Sequence, residues 1–206
     1  MKILVACEES QAVTKAFRKK GHEAFSCDIL DCSGGHPEWH IKDDVLNHLD
    51  DGWDMMIAHP VCKRLTNAGV RWFTVPPPGK TLDDMWRELY LGVKFYLALR
   101  DADIPKKAIE NPVMNPYARG MIGKIKRQIV QPWYFGDKAF KATGFELYGL
   151  PDLIPTNKLT PPLNGTEEHK KWSFIYRMSP GPDRSKLRSK TFPGIADAMA
   201  EQWGVL

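Results

Sequence analysis

No apolar run in the sequence approaches the ~20 residues that span a bilayer as a helix, and its four cysteines, Cys7, Cys27, Cys32 and Cys62, contain no C-x-x-C pair. The first absence argues against a membrane-spanning helix. The second removes the usual zinc-ribbon and zinc-finger spacing, so no metal is expected. In a reducing compartment the four are expected as free thiols. Strong net charge is lacking as well: 29 Lys and Arg against 25 Asp and Glu leave +4. The opening Met1-Lys2-Ile3-Leu4-Val5-Ala6-Cys7 turns acidic at Glu8-Glu9 too soon for a signal peptide, and the expectation is a cytosolic protein. Internal repeats and low-complexity segments are absent too.

What is present is the composition of a globular domain. The 206 residues are 43% hydrophobic and 26% charged, enough to bury one core of ordinary size. The charge is unevenly spread. Residues 1–118 hold 15 Lys and Arg against 17 Asp and Glu, whereas residues 119–190 hold 14 against 6. A basic second half in an otherwise balanced chain fits a polyanion partner.

Residues 2–7 form a short apolar run of the kind a buried parallel strand shows. Residues 10–20 follow as an amphipathic helix with Val13, Ala16 and Phe17 on its apolar stripe, Ser10 as candidate cap and Gly21 as its end. Residues 23–27 read as a second strand closing on Asp28. Strand, helix, strand in under 30 residues is a βαβ unit, which implies a parallel sheet with right-handed crossovers. Residues 30–42 read as a loop and 46–50 as a helical turn. Residues 54–58 read as a third strand, 63–80 as a long loop, 82–102 as the best helix and 107–109 as a fourth strand. The second half reads as irregular until a closing helix at 193–203.

In open parallel sheets, ligands bind beyond the carboxyl ends of the strands. Those ends carry Cys7-Glu8-Glu9-Ser10-Gln11, then Asp28, then His59-Pro60-Val61-Cys62, then Glu110-Asn111-Pro112. Polar and reactive residues therefore gather on one edge. A carboxylate at Asp28 can accept hydrogen bonds from both hydroxyls of a ribose, and Asp44 can accept from an adenine amine. Cys62, after a strand end, can be a nucleophile. Glu110, at the neighbouring strand end, can act as an acid towards a pyrimidine ring if its proton affinity is raised.

These residues resemble the DNA cytosine-5 methyltransferase family, in particular its short phage-type relatives. Residues 3–11 lie where the family has its cofactor loop. Asp43-Asp44-Val45 is similar to its adenine contact, Pro60-Val61-Cys62 to its Pro-Pro-Cys catalytic loop, and Glu110-Asn111-Pro112 to its Glu-Asn-Val element. Lys190-Thr191-Phe192-Pro193 is similar to its closing element. The chain departs from the pattern at the cofactor loop, Ala6-Cys7-Glu8-Glu9-Ser10, which has no glycine.

The resemblance implies a Rossmann-like S-adenosylmethionine-dependent methyltransferase fold, α/β, with a mostly parallel sheet, helices on both faces and a small irregular basic insertion. It implies transfer of a methyl group from S-adenosylmethionine to cytosine C5 in DNA, on a flipped or single-stranded base, in a bacterial host cell if the gene is carried by a phage. Cys62, Glu110 and Asn111 are then the catalytic residues. Cys7, Glu8, Ser10, Asp28, Asp44 and Pro60 are the cofactor-binding ones. Residues 1–130 with 190–206 would form the catalytic domain. Residues 131–189 would form a small recognition region, in which Lys138 and Lys141 sit among aromatics suited to stacking on unpaired bases. Arg64, Asn67 and Arg71, just past Cys62, would meet the target strand. Two other readings fit the same residues: a catalytically degenerate relative that binds nucleic acid or a partner protein, and an enzyme of free nucleotides.

Overall fold

Alternate residues of the first strand, β1 (Lys2–Ala6), belong to two different apolar layers. Ile3 and Val5 join one cluster, Leu4 and Ala6 the other, and all four are fully buried. A strand buried on both faces needs cover on both, which a parallel sheet with crossover helices supplies. That is the architecture of the computed structural model, which describes residues 1–60, 64–110, 113–124, 126–181 and 184–206.

After β1 come α1 (Ala12–Lys19), β2 (Glu23–Asp28), β3 (His40–Lys42), β4 (Met55–Ala58), α2 (Leu82–Asp101) and β5 (Lys106–Glu110). Then follow α3 (Pro116–Ile122), β6 (Gln128–Val130), β7 (Thr143–Tyr148), α4 (Glu167–Trp172), α5 (Phe174–Arg177), α6 (Arg184–Ser189) and α7 (Pro193–Gln202). The strands form one sheet in the order β3-β2-β1-β4-β5-β7-β6. The first five run parallel, and β7 lies antiparallel to both β5 and β6. Strand order reverses between β1 and β4, so the carboxyl edge there is where such sheets open a crevice.

Helices α1 and α7 cover the face holding Ile3, Val5, Met55 and Ile57, while α2 and α3 cover the face of Leu4, Met56, Ala58 and Ile109. α2 is fixed at its start by a capping box in which Thr81 and Asp84 satisfy each other's backbone amides. It buries Met85, Leu89, Val93 and Tyr96 at helical spacing. None of the described helices is long and apolar enough to cross a membrane.

The expected βαβ start, the strand before His59, the long helix and the closing helix are all present. Three expectations need correction. The stretch 30–42, expected as a loop, contains β3, whose His40-Ile41-Lys42 has a single apolar residue and so no legible period. The stretch 63–80, expected as a loop, holds a 3-10 helix over residues 67–73. The second half, expected to be irregular, adds α3, β6 and β7. The alternation of β7 is masked by Glu146, which is buried because the hydroxyls of Tyr96 and Tyr148 both donate to its carboxylate. Residues 143–148, within the stretch expected as a recognition region, are thus a strand of the central sheet.

Candidate active site

Where β1 ends, the chain turns through two non-glycine residues in the left-handed region, Cys7 at φ 59° and Gln11 at φ 56°. Such residues persist only when their surroundings hold them. The amides of Cys7 and Glu8 both donate to the Cys27 carbonyl at the end of β2, at 2.7 and 3.3 Å. Gln11 is fully buried; its amide donates to Ser26 Oγ and the His36 carbonyl, and its Oε1 accepts from His36 N. Side-chain bonds therefore hold a turn for which a glycine would be the usual choice.

The start of α1 is satisfied by an unexpected residue. Glu8, buried, accepts from the amides of Val13 and Thr14 and from the Thr14 hydroxyl at 2.7, 3.2 and 2.8 Å. Ser10, the sequence's candidate cap, makes no such bond. A carboxylate thus occupies the helix N-terminus that would otherwise attract an anion.

A cavity of about 420 Å³ opens between the carboxyl ends of β1 and β2, the segment 43–45 and α2. Cys7, Asp28 and Asp44 line it, together with Asp43, Ile29, Val45, Leu91 and Phe95. Asp28 accepts from the Leu30 amide at 2.9 Å, and Asp44 from the Leu46 amide at 3.0 Å, which holds both carboxylates in place. Arg64 also lines the cavity, buried, its Nε 2.5 Å from Glu88 Oε2. Hydrogen bonds from Arg64 and Lys80 hold the Glu88 carboxyl below its usual range. The cavity is acidic with apolar walls. Its two thiols register that field: burial, then Asp28 nearby, pushes the Cys7 thiol far up, and burial, then Asp43, pushes Cys27 up to about 12. Both are neutral thiols near neutral pH, not nucleophiles.

A second group stands further along the same edge. Ala58 of β4 pairs with Ile109 of β5, so the next residues, His59 and Glu110, meet side by side. His59 Nδ1 lies 2.7 Å from Glu110 Oε2, with the two side chains 9% and 20% exposed. His59 Nε2 is buried and has no hydrogen-bond partner among the described residues. Burial pushes the Glu110 carboxyl up, but the His59 hydrogen bond and the positive charge of Lys141 outweigh it and leave the group below its ordinary value. This is the opposite of the raised affinity that an acid role would ask for. An ionised carboxylate only accepts, so Nδ1 carries the hydrogen of this bond.

The remaining expected residues are dispersed. Cys62 and Asn111 lie outside the described residues. Pro60 is buried after β4 and, like Glu8 and Ser10, is not among the residues that line the cavity. Asn67, Arg71 and Lys138 are exposed, with Arg71 resting 4.1 Å from the Trp72 ring centroid. Lys141 places its ammonium at the carbonyls of Ser189 and Lys190, at 3.4 and 3.2 Å. Arg64, expected to face nucleic acid, is matched instead by Glu88 in the cavity wall. Sequence reading assigned no role to His59, Leu91 or Phe95. His59 was findable from the register of two adjacent parallel strands; the other two lie on an apolar helix face with no distinguishing signal. Among the described residues no group of three or more His, Cys, Asp or Glu is placed to hold a metal ion.

No protein-family model matches the chain, and no curated protein matches it. Among solved structures, it is similar to a provisionally assigned DNA modification methyltransferase encoded within an E. coli prophage, at 12% identity and a TM-score of 0.50. The match covers 77% of this chain and 52% of that one, so the chain corresponds to about half of its neighbour's length. With the seven-stranded sheet already described, this likeness places the chain in the Rossmann-like methyltransferase fold.

Proposed function

We propose that the protein is an S-adenosylmethionine-dependent methyltransferase acting on cytosine C5 in DNA. The observation that carries the reading is the acidic, apolar-walled cavity beside the topological switch point, beyond the carboxyl ends of β1 and β2, with Asp28 at the end of β2 and Asp44 further along the chain. Those two carboxylates suit ribose hydroxyls and an adenine amine, and Ile29, Val45, Leu91 and Phe95 suit the ring between them. The donor set selects among nucleoside cofactors. Asp28, Asp43 and Asp44 favour a cation over a phosphate, and Glu8 already fills the N-terminus of α1 where a pyrophosphate would bind. A sulfonium nucleoside fits that chemistry better than a dinucleotide. When bound, the cofactor supplies the methyl group.

The chain's own residues would divide the remaining tasks. The Cys62 thiolate would add to C6 of cytosine, making C5 electron-rich, and would leave once the C5 proton is lost. Glu110, held ionised by His59, would accept from the cytosine exocyclic amine and fix the ring. The neighbouring prophage protein's description as a DNA modification methyltransferase supports DNA as the substrate.

Calorimetric titration with S-adenosylmethionine tests the cofactor half. Binding should weaken on the order of 10- to 100-fold in Asp28→Ala, the loss of hydrogen bonds to a charged group. Transfer of a labelled methyl group to DNA, abolished in Cys62→Ser, tests the catalytic half. No heat of binding and no transfer to duplex or single-stranded DNA would overturn the reading.

A further inference from the structure

A partly exposed aromatic cluster lies outside the cavity. Phe73, Trp86 and Tyr117 form a triangle of edge-on and tilted rings with centroids 5.1, 5.4 and 4.9 Å apart. Phe73 is the buried member. Trp86 and Tyr117 are 37% and 41% exposed, and Tyr90, one turn beyond Trp86 on α2, is 56% exposed. Apolar surface of this kind, gathered in one place, marks an interaction site more often than scattered surface residues do.

Its position is set by the strand ends. The chain leaving β4 reaches Arg64 and Leu65, whose carbonyls accept from Asn115, and Asn67 N donates to the Val113 carbonyl at 3.0 Å. The segment after His59-Pro60 and the segment after Glu110 are thus bonded to each other. The aromatic triangle rests on their continuations, so it extends the carboxyl edge that carries His59 and Glu110.

The charges around it are mostly positive, with Asp83 the exposed acid one turn before Trp86. Lys94 Nζ stands 5.8 Å from the Tyr90 ring centroid and Arg71 lies over Trp72, while Arg119 is exposed on α3 between Tyr117 and Met121. Of the four acids on α2, Asp84 is held by the Thr81 cap, Glu88 by Arg64 and Lys80 and Asp101 by Arg100, which leaves Asp83 against the cations Arg71, Lys94 and Arg119. A second copy of the chain meeting this face about a two-fold axis would set cation against cation. A polyanion with flat rings would not. Bases stack on exposed aromatic faces, phosphates pair with the cations between them, and rings already locked edge to edge lose little entropy on stacking.

We propose that Trp86, Tyr90 and Tyr117, with Arg71, Lys94 and Arg119, form a stacking platform for unpaired bases of a nucleic acid strand beside the target base. The inference rests on the reading of the protein as a DNA methyltransferase and names the part of its surface that holds the strand.

Titration with an oligothymidylate of about 12 nucleotides, a length typical of such surfaces, tests it through quenching of tryptophan fluorescence and, independently, fluorescence anisotropy of a labelled strand. Trp86→Ala and Tyr117→Ala should each weaken binding roughly 5- to 100-fold, the loss of one base stack. Trp86→Phe should recover most of the affinity. S-adenosylmethionine affinity, measured on the same samples, should not change. Should Trp86→Ala fail to fold, Tyr90→Ala carries the test, because that ring lies on the surface. Unchanged strand affinity in these variants overturns the platform while leaving the methyltransferase reading intact. So does a wild-type protein that binds cofactor but no strand. Loss of self-association in Trp86→Ala, seen by sedimentation with strand affinity unchanged, would assign the face to a second copy and also overturn the proposal. Absent cofactor binding counts against the methyltransferase reading alone.

Discussion

His59 and Glu110 show how a catalytic candidate depends on a neighbour that the motif does not include. Taken alone, a carboxyl at a buried strand end is expected to hold its proton more tightly. Here the imidazole hydrogen bond, aided by Lys141, reverses that. A carboxyl whose affinity is lowered on folding adds stability above its unfolded titration range and loses it as pH falls through its folded one. Replacing His59 with Phe should therefore raise the Glu110 titration, readable by carbon NMR of the labelled carboxyl. It should also cost about 1–3 kcal/mol at neutral pH, an amount typical of a hydrogen bond to a charge. An unmoved titration would show that the imidazole does not act on the carboxylate. At this scale Asp28 was legible because the apolar run before it stops at a polar residue, whereas Asp44, which follows the unforeseen β3, stood out only through the resemblance of Asp43-Asp44-Val45 to a family element. The pairing of Arg64 with Glu88 was not legible, because it spans 24 positions of sequence, which no local pattern records.

Among the elements, the two helices on one face of the sheet share a device that local capping rules miss. α1 is capped by Glu8 from before its own turn, and α7 by Asp137, whose Oδ2 accepts from Gly194 N at 2.9 Å from across the domain. Glu8→Ala should destabilise the protein by about 2 kcal/mol, since three donors lose a buried charged acceptor. Glu8→Gln, which keeps one acceptor oxygen, should cost less. Thermal unfolding followed by circular dichroism reads both, and equal costs would mean that the acceptor oxygen kept by Gln contributes nothing there. Gly194 is needed for a different reason: a Cβ there would lie 2.2 Å from the Phe135 carbonyl oxygen. Gly194→Ala should lower stability by about 2 kcal/mol or more by forcing α7 off that segment. Elements with a strong period, such as α2 and α7, were legible. β3 and β7 were not: one holds a single apolar residue, and the other buries a carboxylate whose partners Tyr96 and Tyr148 become visible only in the fold.

Across the whole molecule, charge is partitioned by task. The acids of the cavity come from the first half, in the segments around Asp28, Asp44 and Glu88, while the surplus of cations lies in residues 119–190. On the proposed reading, a strand would be drawn to the cations of residues 119–190 and to Arg71 and Lys94 beside the aromatic cluster, and repelled by the cavity acids, which would keep phosphates out of a cavity that suits a cationic nucleoside. The two binding events should therefore respond oppositely to salt. Strand affinity should fall with a log–log slope of roughly −3 to −4 if about five phosphates are neutralised. Affinity for S-adenosylmethionine should change little over the same range, because the cavity carboxylates would act on it at hydrogen-bonding distance, well inside a Debye length. Titrations of both ligands between about 50 and 300 mM salt would decide it. A flat strand slope would remove the basic half from strand binding, and a steep cofactor slope would mean that the ligand is held by surface charge rather than by Asp28 and Asp44.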